Sequence, residues 1–116
     1  MTKRRAALGA EGERGAARFL LSKNWRLLDY NLRVAGGEID LLFHDEEQNV
    51  VLVEVKTRQI EGETDPTANL NATKRRQLAR LAQVIADRYP EASVRVDAVV
   101  IIKHPYSINH YEDILN

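Results

Sequence analysis

Cysteine is absent from the 116 residues, which removes disulfides and thiolate metal sites and fits an expected cytoplasmic location. No apolar run approaches the roughly 20 residues that a helix needs to cross a bilayer, so no membrane partner is expected. The basic start Met1-Thr2-Lys3-Arg4-Arg5 is not followed by an apolar stretch, and a secretory signal is not expected either. Aromatic residues make up only 6% of the chain, too dispersed for a stacking platform; Trp25 and the tyrosines read as core edges. The three histidines, His44, His104 and His110, show no pair at metal-ligand spacing and read as loop or surface residues. There is no Gly-x-Ser-x-Gly elbow, no P-loop and no dinucleotide fingerprint. Repeats, low-complexity tracts and linkers are lacking too.

What remains is a chain long enough for one core, with 44% hydrophobic and 29% charged residues. Seventeen basic residues balance 17 acidic ones, which at first argues against a nucleic-acid partner. Their distribution reads differently. Residues 1–37 hold eight Lys/Arg against three Asp/Glu, residues 38–66 two against nine, and residues 67–116 seven against five. An acidic centre between basic margins suits a metal site that faces phosphate, although solvated charge can fall this way by chance.

The pattern predicts a helix over 6–23 and a strand from Trp25 to Val34, with a turn at Gly36-Gly37. Further strands follow from Glu38 to His44 and from Val50 to Arg58, separated by the polar turn Asp45 to Asn49. A polar loop over 59–70 leads to Asn71, which can cap a helix running to about Tyr89 before Pro90. Leu78, Leu81, Ala82 and Ile85 mark its buried face. Val94 to Ile102 alternates as a last strand, and the tail is expected to be irregular or a short helical turn. The order is αβββαβ, with the second helix as the crossover to a parallel fourth strand.

Two segments carry chemistry: Gly37-Glu38-Ile39-Asp40 opening one apolar strand and Glu54-Val55-Lys56 within the next. Alternation puts Glu38, Asp40 and Leu42 on one face, and Leu52, Glu54, Lys56 and Arg58 on one face of the following strand. A turn centred near Glu47 sets Asp40 opposite Glu54 and Glu38 opposite Lys56. Like charges facing one another destabilise a sheet, and a bound cation reverses that penalty. Carboxylates without Cys or paired His favour Mg²⁺ or Mn²⁺ over zinc. Such an ion activates water and offsets charge on a phosphate, and a neighbouring lysine can orient or deprotonate that water. The plainer reading is a polar sheet face in water with a Glu38–Lys56 pair.

Glu13 shares a helix face with Ala17 and Leu20, the face that should pack on the sheet. A carboxylate there is costly to bury unless paired or metal-bound. Gly9, Gly12 and Gly15 would allow close approach of that helix to the sheet or to a phosphate backbone. The alternative is a frayed helix with Glu13 in solvent. Lys74 extends the buried face of the second helix toward the acidic cluster or a phosphate, while Arg75, Arg76 and Arg80 make other faces basic. Asp97 either belongs to the site or bridges Arg95 or Lys74, and the structural role is the one expected.

These pieces, with Gly12-Glu13, Val53-Glu54-Val55-Lys56-Thr57-Arg58 and Arg95-Val96-Asp97, resemble the YraN-like family of bacterial proteins over roughly residues 8–112. That family is similar to the restriction-endonuclease-like superfamily and, within it, to archaeal Holliday-junction resolvases. The resemblance implies an α/β domain with an αβββαβ core, a mixed sheet flanked by helices, and a PD-(D/E)xK site. Asp40 and Glu54 would be metal ligands, Glu13 the helix carboxylate and Lys56 the catalytic lysine. Glu38 and Lys74 would be secondary, with Arg58, Lys74 and Arg75 as phosphate contacts. A metal-dependent DNA endonuclease is the implied activity, acting on branched or repair intermediates, with a homodimer by analogy. A non-catalytic nucleic-acid-binding protein on the same fold is the alternative, and a protein-interaction module a third. The final strand reads Arg-Val-Asp-Ala where the family has Arg-Phe-Asp-Val, a change of packing. The acidic loop from Gln59 to Leu70 also departs from the family.

Overall fold

A computed structural model describes the backbone of residues 3–60 and 71–116, and side chains over 11–59 and 71–116. Helix α1 spans Lys3–Leu21 and α2 spans Ala72–Arg88. Five strands, β1 (Arg26–Val34), β2 (Gly37–His44), β3 (Val50–Ile60), β4 (Val94–His104) and β5 (Tyr106–Tyr111), form one sheet in sequential order. Neighbours are antiparallel except β3 and β4, which run parallel and are joined through α2. The result is the αβββαβ core with one strand more.

That strand, β5, replaces the expected irregular tail. It turns back at His104-Pro105 and pairs with β4 from Lys103↔Tyr106 to Ala98↔Tyr111. The loop expected over 59–70 begins later, because β3 continues to Ile60; residues 61–70 lie outside the described residues. The first hairpin also differs by one residue. Ala35 and Gly36, with φ of 49° and 77°, make the two-residue turn, and Gly37 opens β2 opposite Val34. Gly37 is needed for another reason: a Cβ there would lie 3.2 Å from both Leu81 methyls.

Alternation along β3 and β4 creates two cores. Val50, Leu52, Val96 and Ala98 pack on Leu78, Leu81 and Ile85 of α2. Val51, Val53, Val99 and Ile101 pack on Ala16 and Leu20 of α1, with Trp25 and Phe43. Asn71 caps α2 as expected, its Oδ1 accepting the Lys74 N–H at 2.8 Å. Gly12 brings α1 against β3: a Cβ on it would meet Thr57 Oγ1 at 2.8 Å. Strict alternation fails on β2, where Ile39 joins the α2-side core with Leu42, while Leu41 and Phe43 join the other. The break falls at Asp40. No described helix is long and apolar enough to cross a membrane.

Candidate active site

The ladder between β2 and β3 runs from His44↔Val50 to Leu41↔Val53 and stops. Asp40 and Glu54 are the next residues on the two strands, in the register expected from the turn. Here the Val55 N–H donates to Asp40 Oδ2 at 2.8 Å, so a side chain continues the pairing where the backbones part. Buried apolar residues, Leu41 to Phe43 on β2 and Val50 to Val53 on β3, lead up to this fork.

Helices bring charge to the fork from opposite faces of the sheet. Gly12 seats α1 on β3 and places Glu13 next in the chain, half-buried and hydrogen-bonded by the Asn31 side chain. Asn31 lies on β1 between the pairs Tyr30↔Leu41 and Leu32↔Ile39, beside Asp40, in a left-handed conformation with φ of 48°. Asparagine tolerates that region better than most residues. From α2, Lys74 Nζ reaches Glu54 Oε2 at 2.8 Å. Lys56 Nζ lies 3.8 Å from the same oxygen. Glu54 is the most enclosed of the three, its side chain only 11% exposed. Glu38 turns outward instead, 4.0 Å from Arg33 rather than on Lys56.

Burial pushes the Asp40 carboxyl up to about 7, and the Glu54, Glu13 and Glu38 carboxylates add to the rise against the Val55 hydrogen bond. Glu13 is raised as well, first by burial and then by Glu38, with the Asn31 bond opposing. Glu54, Glu13 and Glu38 thus all act on the Asp40 charge while two ammoniums are held toward Glu54, although the donor atoms of Glu13, Asp40 and Glu54 do not all lie within 4.8 Å of one another. Asp40 has no cation of its own among the ion pairs of the described residues. Hard carboxylate oxygens in excess of local positive charge fit a divalent cation such as Mg²⁺ or Mn²⁺. Glu13, Asp40 and Glu54 are the residues that would hold it.

The remaining expected contacts divide. Arg58 is partly buried on β3, two residues beyond Lys56. Arg75 directs Nη1 to the Ile114 carbonyl at 3.3 Å, so it engages the chain's end rather than the acidic cluster.

A second polar cluster surrounds the Asp97–Arg95 pair expected from the sequence, and its other members, His110, Asp45 and Lys23, were not expected there. Asp97 is fully buried and takes Arg95 Nε at 2.9 Å and Nη2 at 3.2 Å, His110 Nε2 at 2.8 Å and the Asp113 N–H at 2.9 Å. Arg95 also bonds Asp45 Oδ2 at 2.8 Å and lies over the Trp25 ring. The structural role expected for Asp97 is what the geometry shows, through Arg95 and not Lys74. His110, expected in a loop or on the surface, has a side chain only 5% exposed, on β5, with Lys23 Nζ 2.9 Å from its Nδ1. Donor atoms of Asp97, His110 and Glu112 lie within 4.8 Å of one another, close enough for a metal. Arg95 and Lys23 already supply the positive charge there, so the cluster is closed in itself. Despite burial, the His110, Arg95 and Asp113 hydrogen bonds hold the Asp97 carboxyl below its ordinary range. No signal in the sequence pairs β5 with Asp97.

A mixed five-stranded sheet between two helices, its second and third strands parting at Asp40 and Glu54, defines an α/β domain with an αβββαβ core and one added strand. The chain belongs to the family described as "Uncharacterised protein family UPF0102", whose model matches residues 12–101. UPF0102 proteins similar to it include one from Streptomyces griseus, 38% identical over 101 residues and 84% of each chain. Another, from Thermodesulfovibrio yellowstonii, is 34% identical over 94% of this chain and 96% of its own. A third, from Corynebacterium glutamicum, is 35% identical over 98% and 96%. Among solved structures, a complex of EndoMS with double-stranded DNA matches 76% of this chain and 34% of its own, at 20% identity and a TM-score of 0.48. A repair endonuclease from Pyrococcus abyssi matches 75% and 35%, at 16% identity and 0.47. This chain spans about a third of each, and a likeness at that level does not carry activity across.

Proposed function

We propose that the protein is a divalent-metal-dependent endonuclease that hydrolyses DNA phosphodiester bonds, at branched or repair intermediates, and works as a homodimer. The observation that carries this reading is the fork itself: Asp40 and Glu54 in register, Glu13 delivered from α1, and Asp40 pushed up to about 7 by burial and its acidic neighbours. A fold gains no stability from such a concentration of like charge. When bound, Mg²⁺ or Mn²⁺ would supply an activated water and offset charge on the phosphate.

The chain's own part is positioning. Val55 fixes the Asp40 carboxylate, and the α1–β3 contact at Gly12 fixes the approach of Glu13. Lys56 stands next to the ligand positions on the rigid central strand, where its ammonium can stabilise charge growing on a phosphate oxygen. Lys74 holds the same Glu54 oxygen from α2, and it would become available to a phosphate if Glu54 turned to a cation. Arg58, two residues beyond Lys56, is a further phosphate contact of this reading, and Arg75 is one only if it leaves the Ile114 carbonyl.

One observation favours a second reading, a nucleic-acid-binding protein without turnover. Lys74 and Lys56 both lie on Glu54 and already neutralise it. Calorimetric titration of Mn²⁺ into wild type and an Asp40→Asn/Glu54→Gln variant separates the two. Saturable binding lost in the variant, with Mn²⁺-dependent cutting of junction or flap DNA, is the expected result. A folded wild type that binds DNA but neither holds metal nor cuts would establish the second reading.

A further inference from the structure

A groove of about 390 Å³ lies between α1 and the ends of β3, β4 and β5. Gly12 and Gly15 form its helical wall, and Thr57 its floor. Gly12 directly precedes Glu13 and packs on Thr57, so the groove lies on the α1 face of the sheet, the face from which Glu13 approaches. Arg18 and Lys103 line it, with Tyr106 at the rim. Tyr106 is 65% exposed, one of three large apolar or aromatic side chains left so open among the described residues. Its residue opens β5 opposite Lys103, which fixes ring and ammonium on neighbouring strands. The Lys103 ammonium is 3.6 Å from Glu11, with the lysine side chain 31% and the glutamate side chain 62% exposed. An ion pair that open contributes little and releases its cation readily.

An exposed ring on a rigid strand, two cations and a glycine-walled groove match the chemistry of one occupant. Bases stack on aromatic rings in a sequence-tolerant way, and flanking cations track the phosphates. A base inside a duplex cannot offer its face to a side chain, because its neighbours cover it. We infer that this groove takes an unpaired nucleotide of the DNA next to the scissile phosphate, its base on Tyr106 and its phosphates on Lys103 and Arg18. The inference rests on the endonuclease reading and narrows it: the preferred substrate carries single-stranded DNA at the cut, as in a flap, tail or opened junction. Gly15, whose Cβ would come 3.8 Å from the Tyr106 hydroxyl, keeps the groove open beside the ring.

The test is fluorescence-anisotropy binding in Ca²⁺, with no Mg²⁺ or Mn²⁺ present, using a labelled blunt duplex and the same duplex with a single-stranded tail. Wild type should prefer the tailed DNA. Tyr106→Ala should weaken tailed binding about tenfold, the typical loss for one stacked base, and leave the blunt duplex unchanged. Tyr106→Phe should bind like wild type, since the ring is kept. Equal losses on both DNAs, an unaffected Tyr106→Ala, or no preference in wild type would each overturn the inference. Thermal melting of Tyr106→Ala checks that the fold is intact. Because binding is read without turnover, failure to cut DNA would sink the nuclease reading and leave this test standing. Cutting by a protein whose Tyr106→Ala variant binds normally would remove the groove and keep the active site.

Discussion

Asp40 sits between two demands that oppose one another. Its Oδ2 completes the sheet at the fork by accepting the Val55 N–H, yet its charge is opposed by burial and by Glu54, Glu13 and Glu38. A carboxyl whose folded value is raised holds its proton more tightly folded than unfolded. The stability this adds is complete below the unfolded value near 4, and it is lost as pH rises through about 7. Asparagine at this position can still accept from Val55 and has no charge to lose. Asp40→Asn should therefore melt like wild type near pH 4 and above it near pH 8. The gain at pH 8 should be about 1–2 kcal/mol, discounted from the full shift because the site is partly open to water. Saturating Mn²⁺ should close that gap by stabilising wild type alone. Melting curves across pH with and without Mn²⁺ check it; a variant less stable than wild type at pH 8 would contradict the charge crowding.

Asp97 is the opposite case at the same scale. Its hydrogen bonds outweigh burial and hold it ionised, so its contribution is present above the unfolded value and lost as pH falls through the lowered one. Removing it leaves Arg95 facing only Asp45 and distant Glu112. Asp97→Ala should cost about 3–5 kcal/mol in urea unfolding, the usual loss when one partner of a buried pair is deleted. A loss under 1 kcal/mol would mean that the network is incidental.

Among the elements, α1 must come close to β3 for Glu13 to reach the fork, and Gly12 is the contact that permits it. Gly12→Val would drive a branched side chain into Thr57 Oγ1, which a bare Cβ already approaches to 2.8 Å. The expected cost is about 1–3 kcal/mol of overpacking, with metal affinity falling more than stability does because Glu13 moves outward. Unfolding and Mn²⁺ titration on one preparation read both, and unchanged metal binding would show that Glu13 is not a ligand. Much of this geometry was legible in the residues. The short polar turn fixed the register that brings Asp40 level with Glu54, but alternation misplaced the β2 side chains because the strand breaks its alternation at Asp40. Glu13 was legible because it interrupts a helix face of small and apolar side chains. The rest depended on partners far apart in sequence. Ser107, Asn109 and His110 give β5 no apolar alternation; pairing with β4 and burial against Asp97 make it a strand. Asn31 on Glu13 and Lys74 on Glu54 are likewise tertiary meetings that no local pattern encodes.

Over the whole molecule the formal charge is zero, so attraction to DNA must come from its arrangement. The acidic fork would repel the phosphate it is meant to receive, while the basic helices and the groove at Lys103 attract its neighbours. A bound cation removes that conflict, which makes metal and DNA partners in binding: each should raise the affinity for the other by the same factor. The same electrostatics predicts an outcome that loss of function alone would not. With chelator present, Asp40→Asn/Glu54→Gln should bind DNA several-fold more tightly than wild type, because two negative charges are gone and Lys74 and Lys56 are released from Glu54. With Ca²⁺ present wild type should recover and the variant should not respond. Salt titrations of both should be linear in log affinity against log salt, with a steeper slope for the variant if the freed lysines reach phosphate. A variant that binds more weakly than wild type in chelator would mean that the fork contributes to DNA binding without metal. In that case the two lysines belong to the fold's ion pairs, and DNA reaches the protein by another face.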